Sequence, residues 1–307
     1  MHHDHLHRVR KEHPENDSTG KNLLYSTLLN FTVSIVEVIG GLISNSLALI
    51  SDALHNLGDT SALFIAYWAN VVSRKDHTHK KTFGYKRIEI LAALFNAIIL
   101  VVIIIYLFIE AYHRLLNPEP VKGLVMLMVA LIGFLANLIS VLLLKKYAGK
   151  SINIRAAYLH LLGDTISSVV VIATALLIYF FELQWIDPLA TFLLGLYLLK
   201  ETYLILKEAL DILMQATPHG LDLNRVKQAL ESIPEIDNIH HVHAWNLNDQ
   251  DIHFECHIDL KSDFRISETE QIKATIHEIL KNKFNISHVT IQVEYNCCED
   301  KNMIHQR

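Results

Sequence analysis

Two six-residue strings carry the chemistry: HNLGDT at 55–60 and HLLGDT at 160–165. Each sets a histidine and an aspartate four positions apart, so on a helix both side chains leave from one face. His55 with Asp59, and His160 with Asp164, would each form a two-donor edge. Two imidazoles and two carboxylates, brought together from two helices, make a tetrahedral set suited to zinc. Gly58 and Gly163, inside the strings, would let neighbouring helices come close. The plainer alternative is that each histidine only hydrogen-bonds its own aspartate one turn away. Two copies of the same pattern argue for a shared ligand.

The elements that must position these groups are apolar. A bilayer core needs about 20 apolar residues in a helix. Stretches at roughly 23–43, 47–71, 88–111, 121–144, 156–181 and 186–206 meet that need. HNLGDT falls in the second stretch and HLLGDT in the fifth. An ionisable side chain at the bilayer centre costs about 2.5–3.5 kcal/mol on insertion scales, so four of them require partners or a wet cavity. Ser44, Asn45 and Ser46 form a tight hairpin between the first two spans, Pro118 and Pro120 separate the third from the fourth, and Asp187 and Pro188 open the sixth.

Basic residues set the expected orientation. Arg8, Arg10, Lys11 and Lys21 precede the first span. Arg74, Lys75, Lys80, Lys81, Lys86 and Arg87 follow the second, and Lys145, Lys146, Lys150 and Arg155 follow the fourth. The opposite side holds Arg114 and Lys122. Both termini are therefore expected in the cytoplasm, with six spans. Mean hydropathy is +0.27 and 51% of residues are apolar, which suits a membrane protein. A net charge of −5 excludes a general nucleic-acid binder. Nineteen histidines are a further hint of metal chemistry. The three cysteines, Cys256, Cys297 and Cys298, form no C-x-x-C pair and are expected as reduced thiols.

Four regions are expected: a His-rich disordered tail at 1–20, a six-helix transmembrane domain at 21–207, a cytoplasmic domain at 208–296 and a tail at 297–307. The first 20 residues lack the pattern of a cleavable signal peptide; His2, His3, His5, His7 and His13 there could weakly collect metal. Beyond residue 207 the patterning changes. Helices are expected at 221–233 and 267–284, with strands at 238–247, 251–261 and 288–294. Ile252, Phe254, Cys256, Ile258 and Leu260 alternate with His253, Glu255, His257 and Asp259, as in a half-buried strand. Ser267 with Glu270 reads as a capping box. The order α-β-β-α-β suits a small open α+β fold of ferredoxin-like type.

With its two HxxxD pairs, SLALISDALHNLGD at 46–59, FGYKRIEILAALFNA at 83–97 and LMQATP at 213–218, the chain resembles the cation diffusion facilitator family, in particular its bacterial zinc-exporting branch. The likeness covers about residues 20–296. It implies six membrane helices, a cytoplasmic ferredoxin-like domain, a homodimer in the bacterial inner membrane and exchange of cytoplasmic Zn²⁺ for protons. It also implies that His55, Asp59, His160 and Asp164 are the transport ligands. Two histidines, rather than one with an extra aspartate, imply a preference for zinc over cadmium. Relatives bind a second metal in the cytoplasmic domain, at positions matching His240 or His243, His257 and Glu294. Cys297 and Cys298 are further candidates there. In the loop after the second span, Tyr85 stands where the family's usual histidine would be, and Lys81 replaces another frequent ligand, so a solvated basic loop is expected despite Asp76, His77 and His79.

Glu37, in the middle of the first span, reads as a proton relay, a part of the zinc entry path, or a packing group. Glu89, Asn96 and Asn137 are weaker cases of the same kind. An alternative function is a membrane-tethered metal sensor or scaffold without transport. A hydrolase is disfavoured: there is no H-E-x-x-H, and four protein ligands close a zinc site to water. A passive channel fits poorly with a saturating tetrahedral site. No enzymatic activity is expected.

Overall fold

The computed structural model describes residues 14–73, 75, 78–145, 152–248, 251–296 and 301–304. The tail histidines, Asp76, His77, Cys297 and Cys298 lie outside the described residues. Six long helices come first: α1 (Pro14–Ser44), α2 (Leu47–Ser73), α3 (Ile88–Leu116), α4 (Gly123–Lys145), α5 (Ile152–Phe181) and α6 (Ile186–Leu213). All of α1 and α3–α6 contain segments long and apolar enough to cross a membrane. α2 is long enough but less apolar, because Asp52, His55, Asn56 and Asp59 interrupt it. The helix that falls short on composition is the one that carries half of the expected ligands. Large apolar side chains such as Phe64, Phe95, Val102 and Phe180 are exposed on these helices, as expected of lipid-facing surfaces.

The chain packs as two units, Met1–Phe64 with Ile98–Thr202, and Ile65–Ala97 with Tyr203–Arg307. In the first, Ala48, Leu49, Met126, Ala130, Val171, Ala175 and Ala190 form a core of mostly small side chains. Small residues let helix backbones approach where no hydrophobic drive separates protein from lipid. The start of α2 is held from α6. Asp187 is fully buried and accepts hydrogen bonds from Ser46 Oγ (2.5 Å), Leu47 N (2.8 Å) and Ala48 N (3.3 Å). It thus satisfies amide groups that a helix N-terminus leaves open.

The second unit contains α7 (Leu223–Glu231), β1 (Ile236–Asn246), β2 (Ile252–Leu260), α8 (Ile266–Phe284) and β3 (His288–Glu294). Asp222 caps α7, accepting from Asn224 N (2.9 Å) and Arg225 N (3.3 Å). The sheet order is β1-β2-β3, with β1 and β2 antiparallel and β2 and β3 parallel. Ile236, Ile239, Phe254, Ile258, Ile276 and Leu280 are fully buried in its core. Burying each such side chain contributes about 1.5–3 kcal/mol. The helical membrane domain and the α+β domain match the expected fold class.

Two local expectations need correction. α8 opens at Ile266, before the expected start, and Glu268 rather than Glu270 reaches back, accepting from Arg265 N at 2.8 Å. The second face of β2 is not uniformly open: His253 and Asp259 are buried. The Phe83 ring packs edge-on to His253 at 5.4 Å between centroids, and Lys86 pairs with Asp251 at 2.6 Å. At the other end of the strand Lys301 pairs with Asp259 at 2.8 Å. Simple alternation misses this because the cover comes from segments distant in sequence.

Candidate metal sites

α2 and α5 bring the two HxxxD pairs together. His55 Nδ1 lies 3.3 Å from Asp59 Oδ2 along α2, and His160 Nε2 lies 3.8 Å from Asp164 Oδ2 along α5. Across the helices, His55 Nε2 is 3.4 Å from Asp164 Oδ1, and His160 Nε2 is 3.3 Å from Asp59 Oδ2. The imidazole centroids are 5.9 Å apart. Four ligands at about 2.0–2.1 Å from a tetrahedral zinc are separated by about 3.3 Å along each edge. Three of the four separations fall at that length, the fourth is longer at 3.8 Å, and all exceed the usual N–H···O hydrogen bond of about 2.9–3.0 Å. His55 presents a different nitrogen to each aspartate, so one ion would take one of them.

The remaining atoms point the same way. His55 Nε2, Asp59 Oδ2 and both carboxylate oxygens of Asp164 are buried without a hydrogen-bond partner. Buried polar groups are rarely left so unless something else meets them. Exposure is graded across the site. Asp164 is 1% exposed at its side chain and His55 10%, but Asp59 is 30% and His160 46%. One edge is thus sealed and the other open. A Cβ at Gly58 would meet Leu100 Cδ2 at 2.7 Å, and one at Gly163 would sit 3.1 Å from Tyr197 Oη. Both glycines permit close approach beside a ligand, and the Tyr197 ring flanks His55 at 6.3 Å.

Asp52, which is not among the ligands expected from the sequence, lies three positions before His55. It is buried and accepts from Ser167 Oγ (2.5 Å) and Ser168 Oγ (3.4 Å). The signal was available: a further ionisable residue one helical turn from His55 in the same span. Glu37 is also buried, and Asn56 Nδ2 donates to its Oε2 at 3.4 Å. Asn137 donates to Ser168 Oγ at 3.2 Å. Glu89 accepts from Ser73 Oγ at 2.8 Å and Asn70 Nδ2 at 3.3 Å.

A second cluster lies on the sheet. Glu294 Oε1 is 2.8 Å from His257 Nδ1, and Glu294 Oε2 is 3.3 Å from His240 Nε2. His240, His241 and His257 each offer a nitrogen within 4.8 Å of the others. Of the expected set, His240, His257 and Glu294 are therefore together, while His243 is exposed and outside this group. A register shift between His240 and His243, with His241 at φ 48°, explains the exchange. A bulge breaks the two-residue alternation and re-aims side chains. The His241 and His257 rings come to 4.7 Å. Nearby, burial would raise Asp259, but hydrogen bonds from Lys301 and from Asn296 N hold it below the usual carboxylate range. Burial pushes the Cys256 thiol up to about 12, which makes it a poor metal ligand at neutral pH.

Comparison with known proteins agrees with this architecture. Residues 23–214 match the cation efflux transmembrane domain, and residues 218–296 match the cytoplasmic domain of cation efflux proteins. The cadmium, cobalt and zinc/H(+)-K(+) antiporter of Bacillus subtilis is 37% identical over 295 residues, covering 95% of this chain and 94% of the relative. The metal cation efflux system protein CzcD of Cupriavidus metallidurans is 37% identical over 288 residues, covering 94% and 90%. Zinc transporter ZitB of Escherichia coli is 37% identical over 296 residues, covering 96% and 93%. With both domains matched in order and relatives aligned along nearly all of its length, the chain belongs to the cation efflux, or cation diffusion facilitator, family of multi-pass membrane proteins.

Proposed function

We propose that the protein exports zinc from the bacterial cytoplasm in exchange for protons, through a tetrahedral site made of His55, Asp59, His160 and Asp164. The observation that carries this reading is the set of four imidazole–carboxylate separations of 3.3–3.8 Å on two membrane helices, with His55 Nε2, Asp59 Oδ2 and both Asp164 oxygens buried and without a hydrogen-bond partner. Zinc takes neutral imidazole and ionised carboxylate, so loading expels protons and unloading invites them back. The sealed Asp164 edge and the open His160 edge give the ion one way in at a time, which alternating access requires. Exchange also demands a moderate affinity. A micromolar site corresponds to about −8 kcal/mol, whereas structural zinc sites reach about −10 to −16 kcal/mol.

The names of the relatives support both halves of the exchange. ZitB is named for zinc, and the Bacillus subtilis relative for cadmium, cobalt and zinc against H⁺ and K⁺. In this reading cadmium is a secondary substrate. The membrane domain spans 21–207 and the cytoplasmic domain 208–296. Both termini face the cytoplasm of an inner-membrane homodimer. His240, His257 and Glu294, with His241 in place of His243, hold a second zinc ion in the cytoplasmic domain. That cluster would equally serve a tethered sensor, which is the second reading.

The test is zinc flux in liposomes under an imposed pH gradient, with wild type beside Asp59→Ala and Asp164→Ala. The exporter reading expects gradient-driven flux in wild type and none in either variant. Zinc binding without flux in wild type would favour the sensor. Flux that survives in both variants would put the ion path elsewhere.

A further inference from the structure

Beside the four-ligand site lies a buried oxygen cluster that zinc coordination does not use. Glu37 on α1 is 1% exposed. Its Oε2 receives Asn56 Nδ2 from α2 at 3.4 Å, a long contact, and its Oε1 is buried with no hydrogen-bond partner. The carboxylate lies directly against Gly133 on α4, where any Cβ would overlap Oε1. Asn56, 1% exposed and turned toward Glu37, leaves its own Oδ1 buried and unpartnered. Farther along the α1–α4 seam, Asn137 Oδ1 and Asn30 Oδ1 are also buried and unpartnered. Asn137 lies one turn beyond Gly133, and Asn30 two turns from Glu37 toward the start of α1.

The charged groups acting on Glu37 are acidic. Asp52 of α2 and Asp164 of α5 both do so, and α4 carries no charge before Lys145 at its end. Asp52 differs from Glu37 in having donors, Ser167 and Ser168. Among the described residues Glu37 receives the Asn56 carboxamide at Oε2, and its Oε1 has no donor. A buried carboxylate needs a charge or proton to match it. The surplus here is of acceptor oxygens, with neither imidazole nor thiolate among them, so the missing species is a hard cation rather than zinc.

We propose that Glu37, with Asn56, forms a separate binding site for the monovalent counter-cation, a proton or an alkali ion, and that this site sets the ion exchanged against zinc without ligating zinc itself. The inference rests on the exchange reading above and adds, to the protons exchanged at the zinc ligands themselves, a second place where a counter-cation binds. Asn137 and Asn30 mark the polar path along the seam toward the start of α1.

The test uses purified full-length protein in liposomes, comparing wild type with Glu37→Gln, which keeps the shape and removes the charge. Zinc affinity is measured at equilibrium. Zinc flux is then driven separately by a pH gradient and by a K⁺ gradient at equal pH, with internal H⁺ and K⁺ dyes. In the variant, zinc Kd should stay within about threefold while flux driven by the counter-ion falls about tenfold or more. Loss under the pH gradient identifies a proton; loss under the K⁺ gradient alone identifies an alkali ion. Gly133→Ala, which keeps the carboxylate but displaces it, should give the same pattern with a smaller loss. If Glu37→Gln couples zinc to both gradients as wild type does, or if its zinc Kd rises in step with the loss of flux, the separate site is ruled out. Absence of gradient-driven flux in wild type would instead overturn the exchange reading, and this site with it.

Discussion

The membrane quartet and the cytoplasmic cluster use the same side chains in different proportions. In the membrane, two imidazoles alternate with two carboxylates, and each carboxylate faces both rings. On the sheet, three imidazoles gather beside one carboxylate, Glu294. Two anions neutralise a divalent ion and can each take back a proton when it leaves. One anion with three imidazoles leaves a net charge on the bound ion, tolerable near water and costly in lipid. On the proposed reading, the difference separates a site built for turnover from one suited to retention.

The contrast is sharpest in a pair of neutralising variants. Asp164→Asn should lower maximal zinc flux by about a hundredfold or more, while Glu294→Gln should leave it within about threefold at saturating zinc. Flux assays in liposomes read both, and equal losses would erase the distinction. Next, His241→Ala should weaken binding at the cytoplasmic cluster by about tenfold, whereas His243→Ala should change it by less than about twofold. Calorimetric titration in an Asp59→Ala background isolates that site, and the reverse order would restore His243 as the ligand.

Stability separates the regions further. Asp187→Ala removes the acceptor that caps α2 and should cost about 1 kcal/mol, read as a lower thermal midpoint with unchanged protection of the sheet. The smallest effect concerns His253, which burial, with the neighbouring His288, holds below the usual histidine value. Its neutral form is favoured in the fold. The stability it contributes is therefore complete above the unfolded value of about 6.5 and is lost as pH falls through the lowered folded value. Hydrogen exchange of β2 in the full chain should speed up on acidification to about pH 5, and His253→Gln should blunt that change.

How much was legible in the sequence follows the same division. The helical site could be read because i,i+4 spacing fixes which side chains share a face, and the motif appears twice. Asp52 was equally readable as a polar interruption of an apolar span, though its partners Ser167 and Ser168 come from another helix. The sheet elements also followed from their alternation. His241 did not, because it joins the cluster through a bulge that depends on pairing across strands. The covered face of β2 was hidden for a related reason: Phe83 and Lys301 reach it from far along the chain.

The central claim concerns the membrane site, and X-ray absorption of bound zinc tests it most directly. The measurement uses full-length protein with the cytoplasmic cluster emptied by His257→Ala and Glu294→Gln. The predicted spectrum is of four-coordinate zinc with nitrogen and oxygen neighbours at about 2.0–2.1 Å and two imidazoles, lost on adding Asp164→Asn. No bound zinc in the emptied protein, a sulfur neighbour, or a spectrum unchanged by Asp164→Asn would contradict it.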